Sequence, residues 1–348
     1  MSNNSLKIVQ TINQLEWLIQ TDLGHRGIHR IPAENLCTFC QGNLFQAIQF
    51  LAVHQGCEVA IVTGFYIPDA NPPAPENDGP GGALFLARGL NMLGYHTLLI
   101  TDEYGKVPLE QGCELFEDEL KNTTFFNFPV PKEEAEVVAK KFFEDHPNLK
   151  CLISIERVGP CHTLSSFLNQ SEKPGKDEIE IFRIKGPGNL AGEYLNMRGI
   201  PVTNYTAPIH QIFNKENHPS KSIFSIGIGD GGNEIGMGSI PWRIISENIL
   251  NHLGGKIACQ VPTDATIVSG VSNWAGYSLV AGLCVFLNQV KKYDKIYSEQ
   301  GETKLIEHYF QTKSAVDGKL GHPALSIDGI DWEIHLKILN LIWAIINI

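Results

Sequence analysis

Clustered basic residues are missing from this sequence, which excludes nucleic acid as a partner, because neutralising a phosphate backbone takes Lys and Arg grouped together. With 38 acidic against 27 basic side chains, the formal net charge of -11 suits small cations better. Long apolar runs are missing too. The longest, such as Leu279 to Leu287, fall far short of the ~20 residues a membrane span needs, so no membrane partner is expected. Met1 to Gln14 has no basic stretch followed by an apolar core, so the eight Cys are expected as reduced thiols in a cytoplasm. Cys37-Thr38-Phe39-Cys40 has neither a second pair nor a suitably spaced His, which excludes the common zinc frameworks. There is no internal repeat and no low-complexity stretch.

What the sequence does have is 43% hydrophobic residues in a chain of 348, enough for a large core in one α/β domain over residues 1–348. Ser225 to Gly238, SIGIGDGGNEIGMG, organises the rest. Ser222 to Ile228 reads as a short buried strand, and the glycines after it permit close backbone approach at the strand's carboxyl end. Three readings of this loop stay open. Gly227, Gly229 and Gly232 satisfy a G-x-G-x-x-G dinucleotide pattern, with Glu247 about where a ribose-binding acid belongs. Gly236, Gly238 and Pro241, however, interrupt the helix that this pattern needs. Asp230 and Glu234 suit a divalent cation with oxygen ligands, Mg²⁺ or Mn²⁺. A tight turn with a capping Asp is the third reading.

In chain order, Leu6, Val9, Ile12, Leu15, Leu18 and Ile19 recur at helical spacing and open a helical segment over residues 1–54, with a second helix from Leu36 to Val53. Arg26, between two glycines, is a candidate anion clamp. Strands are expected at Glu58–Thr63, His96–Thr101, Lys150–Ile155 and Ala265–Val268. Their alternation with helices predicts a mostly parallel, Rossmann-like sheet flanked by helices. In such a sheet ligands sit beyond the strands' carboxyl ends, where Thr63, Asp102, Glu103, Glu156, Asp230 and Glu234 fall as one acidic cleft. Five carboxylates at one sheet edge either repel one another or share a cation. Asp78 ends a stiff loop with five prolines and either caps the helix that follows, about Gly81 to Leu93, or binds a ligand. Residues 159–192 lose periodicity and read as an exposed insertion or lid. Asn196 and Arg198 follow as candidates for substrate contact. Ser269 to Trp274 precedes the apolar helix Gly276 to Leu287, whose amino terminus then faces the crevice. Asp317-Gly318 and Ser326 to Gly329 read as turns, and the closing helix Glu333 to Ile346 packs on the body or on a second subunit as a homo-oligomer.

Thr63-Gly64-Phe65 with the proline loop to Pro80, Ile100 to Glu103, Ile155-Glu156-Arg157, Asn196 to Gly199, Ile226 to Gly238 and Val271 to Trp274 together resemble the D-glutamate cyclase-like domain family. The resemblance spans most of the chain. It implies an α/β fold, a metal-compatible acidic cleft, a small amino-acid substrate and cyclisation of D-glutamate to 5-oxo-D-proline. On this reading Asp102, Asp230 and Glu234 hold a Mg²⁺ or Mn²⁺ ion, Glu103 or Glu156 takes the proton, and Arg198 or Arg26 pairs with the α-carboxylate. Thr63, Asp78, Asn196, Asn233, Ser272 and Asn273 complete the substrate contacts. Two departures stand out: the 159–192 segment is enlarged, and the hydro-lyase-like domain of larger family members is absent. The Asp230 loop is also similar to the Gly-Asp-Gly loop of haloacid dehalogenase-type phosphatases. Those enzymes need an Asp-x-Asp nucleophile pair, which occurs nowhere in this sequence, so a phosphatase acting here would need water activated on a metal. A non-catalytic small-molecule binding module is the third possibility.

Overall fold

A computed structural model describes residues 3–218 and 223–348. Six strands form one sheet: β1 (Glu58–Val62), β2 (His96–Thr101), β3 (Thr123–Asn127), β4 (Leu149–Ile155), β5 (Phe224–Gly229) and β6 (Ala265–Val268). They lie in the order β3-β2-β1-β4-β5-β6, and every neighbouring pair is parallel. The chain therefore winds outward one way from β1 through β3, then returns to β4 beside β1 and winds the other way. The crevice beyond β1 and β4 is the switch point of a doubly wound sheet, where such folds bind ligands.

The strands carry apolar side chains on both faces because both faces are covered. In β1, Val59 and Ile61 join one core while Ala60 and Val62 join the other. The first core is roofed by the helices Asn3–Ile19, Asn43–Val53, Pro80–Met92, Ser272–Phe286 and Trp332–Asn347. The second gathers Phe142, Phe167, Phe182 and Trp242.

Four expected strands and the flanking helices are present within a few residues of where the pattern puts them, and the fifth starts at Phe224, Ser222 lying outside the described residues. β3 has no counterpart in the sequence reading. As an edge strand it is half-buried to exposed along its length, so it shows neither an apolar run nor alternation. The expected helix Leu36–Val53 is broken at Cys40–Gly42, where Gly42 takes φ 88° and the Asn43–Val53 helix starts afresh. The buried Glu16 carboxylate, from the first helix, accepts the Gly42 and Leu44 amides there.

Residues 159–192 are largely exposed after their first four residues. Gly159 to His162 are buried, and the segment carries two short helices, Leu164–Leu168 and Lys176–Lys185. Phe167 and Phe182 stack at 4.1 Å, and both rings pack edge-on against Trp242. That aromatic burial pins the segment to the body, while its outer side, Ile184 included, faces solvent.

Helix Ser272–Phe286 is buried along nearly its whole length and crosses Pro80–Met92 closely. A Cβ at Gly276 would meet the Gly82 carbonyl at 2.9 Å, so glycine is what permits the approach. The crossing brings two helix amino termini together beside β1 and β4.

Candidate active site

Those two amino termini cap each other. Asp78 accepts from the Ser272 amide (2.9 Å) and the Asn273 amide (2.8 Å), while Asn273 Oδ1 accepts from Gly79 (2.9 Å) and Gly82 (2.6 Å). Asp78 is thus a cap, but of the helix starting at Ser272 and not of the one that follows it in sequence. The Ser272 hydroxyl donates to Glu156 Oε2 at 2.6 Å, which joins this knot to the end of β4.

Glu156 itself has φ 46°, a left-handed conformation that a glutamate rarely adopts and that the surrounding structure must enforce. Beyond β5, Glu234 folds back on its own loop. Its Oε1 accepts the Asp230 and Gly231 amides (3.1 and 2.7 Å) and its Oε2 the Gly232 amide (2.8 Å). These are the amides a dinucleotide pyrophosphate would need, and no helix begins until Trp242, so the glycine pattern is not a dinucleotide grip. Glu247 lies away from the site, paired with Arg243 on the surface.

Asp230 lies at the centre of the cluster. It is wholly buried, and neither carboxylate oxygen accepts a hydrogen bond. Its near neighbours form two triads, Asp78 with Asp328 and Glu156 with Glu234, whose oxygens converge within 4.8 Å. Arg26 reaches in from the first loop, its Nη2 lying 3.1 Å from Asp230 Oδ2 and 2.8 Å from Asp328 Oδ1. Glu76 adds a sixth buried carboxylate, with Oε1 unpartnered.

Burial pushes Asp230, Glu156 and Glu76 well above the usual carboxylate range, and the neighbouring acids push Glu156 and Glu76 further. At Asp230 the Arg26 guanidinium opposes that push. Burial and the Asp328 charge raise Asp78 to about 8, against the two helix amides. Asp328, despite its burial, is held below the usual range by Arg26. In the metal-free cluster burial therefore favours the protonated forms of Asp230, Glu156 and Glu76, while Arg26 favours the charged form of Asp328.

A cavity of about 220 Å³ opens onto this cluster. Glu76, Glu156, Asp328 and Arg26 line its inner end, and Arg198, Lys319 and Asp69 its mouth. Arg198 is 57% exposed and pairs with Asp69 at 2.9 Å. Asn196 sits beneath, its side chain accepting the Arg198 and Ile200 amides.

Of the sequence candidates, the fold brings together Arg26, Asp78, Glu156, Asp230, Glu234 and Ser272, with Asn273 behind them. Thr63 and Asn233 are buried, each with an unpartnered side-chain oxygen. Asp102 is elsewhere: its oxygens accept from Arg157, Ala207, Tyr104 and Gly105, so it anchors the loops over the sheet and belongs to neither triad. Glu103, the next residue, faces solvent and is not part of the cavity lining.

Sequence reasoning missed Glu76 and Asp328. Asp328-Gly329 is the two-residue loop of a hairpin, Ser326–Ile327 with Ile330–Asp331, and both loop residues have positive φ (55° and 71°). An Asp-Gly pair between short apolar runs is the signal that was available. Asp317 holds this hairpin by accepting from the Ser326 hydroxyl and the Gly329 amide.

The profile described as "D-glutamate cyclase-like, C-terminal" matches residues 15–166 and 166–343. The human protein named "D-glutamate cyclase, mitochondrial" is 28% identical over 291 residues, which cover 81% of this chain. The chain spans 40% of the length of that relative. Among the described residues no helix is long and apolar enough to cross a membrane. With both stretches of the profile covering nearly the whole sequence, this chain belongs to the D-glutamate cyclase-like, C-terminal family.

Proposed function

We propose that this protein cyclises D-glutamate to 5-oxo-D-proline with loss of water. The observation that carries the reading is the cavity itself, rich in carboxylates at its inner end and with Arg198 and Lys319 beside Asp69 at its mouth, at the switch point of the sheet. An amino acid with two carboxylates matches that polarity, its ammonium towards Glu76, Glu156 and Asp328 and a carboxylate towards Arg198 and Lys319. The name of the human relative supports the reaction class.

Ring closure asks for a base to take a proton from the α-ammonium and an acid to protonate the departing oxygen. Glu156 is assigned both roles, because it lines the cavity and burial raises its carboxyl well above the usual carboxylate range, which favours proton exchange with the substrate. The Ser272 hydroxyl orients it. Arg26 and Arg198 are the candidates for the substrate's carboxylates. A divalent cation fits the site chemically, since Asp230, Asp328 and Glu76 each present a buried oxygen without a hydrogen-bond partner. Asp230 would hold it with Asp78 and Asp328, or with Glu156 and Glu234, and Mg²⁺ or Mn²⁺ there would polarise the γ-carboxylate. The eight cysteines are all free, which suits a reducing compartment. The relative's name places that protein in mitochondria, and for this chain we propose the cytoplasm or an equally reducing lumen.

Proton NMR of D-glutamate and, separately, L-glutamate with the protein in Mn²⁺, Mg²⁺ or EDTA tests the reaction. Growth of 5-oxoproline signals from D-glutamate is expected. Silence with both enantiomers under all three conditions, or release of phenolate from an aryl phosphate instead, overturns the proposal.

A further inference from the structure

The position of Arg26 raises a question that the reaction leaves open. Among the described residues its guanidinium is the cation within ion-pair distance of Asp230, and one nitrogen, Nη2, serves both Asp230 and Asp328. These are two members of the Asp78, Asp230, Asp328 triad. A cation bound to that triad at the ~2.0–2.6 Å usual for Mg²⁺ or Ca²⁺ would meet the guanidinium at the same carboxylates. Yet Arg26 leaves the cluster unsatisfied: neither Asp230 oxygen accepts a hydrogen bond, nor does Asp328 Oδ2. Glu76, outside both triads and 6% exposed, lines the same cavity with its Oε1 also unpartnered. One guanidinium shared by two carboxylates in a cluster of six buried ones, with oxygens of Asp230, Asp328 and Glu76 accepting no hydrogen bond, describes a seat made for more positive charge than its occupant brings.

We propose that Arg26 is the exchangeable occupant of a divalent-cation site: its guanidinium holds Asp230 and Asp328 in the metal-free protein, and yields them when the cation binds. The exchange is confined to the side chain. The Arg26 backbone is fixed, its amide and that of Gly27 donating to Asp22 (2.8 Å each) and its carbonyl accepting from Leu250 (2.9 Å). The side chain already lines the cavity, so release from Asp230 turns the guanidinium into the space where a carboxylate ligand would lie. Cation binding and capture of a substrate carboxylate thereby become linked, each drawing Arg26 the same way. This rests on the cation reading of the cluster, not on the identity of the reaction.

Mn²⁺ alone is the probe, titrated calorimetrically into the EDTA-treated, dialysed protein and into Arg26→Gln. Removing a positive side chain next to the site is expected to tighten Mn²⁺ binding by at least about tenfold, the size of change typical of groups around a metal. Asp230→Asn should abolish binding in either background. Equal or weaker binding by Arg26→Gln overturns the exchange while leaving a cation site in place. Binding by neither protein overturns both, and turnover of D-glutamate in EDTA then decides the reaction separately. If Arg26→Gln does not accumulate as folded protein, a crystal of the wild type soaked in Mn²⁺ gives the answer. An anomalous peak at Asp230 with Arg26 turned away supports the exchange, and a peak with Arg26 still paired to both acids overturns it.

Discussion

Glu156 combines two costs that a residue serving only the fold would avoid, a left-handed backbone and a carboxyl buried among other carboxyls. Burial raises its pKa first, then the charges of Glu234, Glu76, Asp78 and Asp328, with Arg26 the nearby counter-charge. The sign of the linkage follows from that direction. A carboxyl raised in the folded state keeps its stability contribution below its unfolded value of roughly 4 and loses it as pH climbs through the folded value. Glu156→Gln keeps the acceptor for the Ser272 hydroxyl and removes the titration. In EDTA the variant should therefore melt at a temperature close to wild type at pH 5.5 and above it at pH 8.5, while 5-oxoproline formation is lost. A gap between the two melting curves that is the same at both pH values would show that Glu156 does not hold a proton in the folded protein.

The loop from Asp230 to Glu234 makes the opposite case, because there a carboxylate does serve the fold. Three successive backbone amides converge on Glu234, a concave set of donors that favours an anion. Glycine at 229, 231 and 232 lets that happen: a Cβ at Gly229 or Gly231 would come within 2.8–3.1 Å of a Glu234 oxygen, and Gly232 has φ 95°. Glu234→Gln puts an amide nitrogen where one of those amides needs an acceptor. Leaving a buried N–H unpaired costs about 1–3 kcal/mol, so the metal-free variant should be less stable by that amount in urea melts. A loss under ~0.5 kcal/mol, the size expected of a residue facing solvent, would refute this account of the loop. The glycine spacing made the loop legible in the sequence, but not what fills it, since a carboxylate two to four residues downstream mimics the anion that the pattern usually binds. Asp102 misled for a related reason. It ends β2 as the pattern requires, yet Arg157, from the end of β4, neutralises it, and such a pairing between distant strands has no local signature.

Across the molecule, the strands and helices of the buried sheet were legible because apolar runs and helical spacing are local. The cluster was legible only where its members sit at strand ends. Arg26 and Asp328 meet from opposite ends of the chain, and a sequence pattern places them together only once the fold is known. The same closure docks the helix Trp332–Asn347 onto the body through His335, which is 1% exposed. The Trp274 indole N–H donates to His335 Nδ1 at 2.8 Å; an indole can only donate, so that nitrogen carries no proton and the ring is neutral. Burial lowers its pKa to about 3, and the Asp328 charge only partly opposes this, while Trp332 stacks on the ring. A base depressed in the folded state has its stability contribution in full above the unfolded value of ~6.5 and loses it as pH falls towards the folded value. One proton taken up by the unfolded chain alone costs about 1.4 kcal/mol per pH unit across that window. His162 and His210, also lowered by burial, to about 4, act in the same direction. His335→Gln supplies an acceptor to Trp274 without a titrating group. Urea melts at pH 7, 5.5 and 4 should show the variant less stable at pH 7 and the difference shrinking by up to about 1.4 kcal/mol per unit on acidification. Parallel stability curves for the two proteins would mean that His335 takes up its proton in the fold as readily as in the unfolded chain, and the indole hydrogen bond would then have to be abandoned.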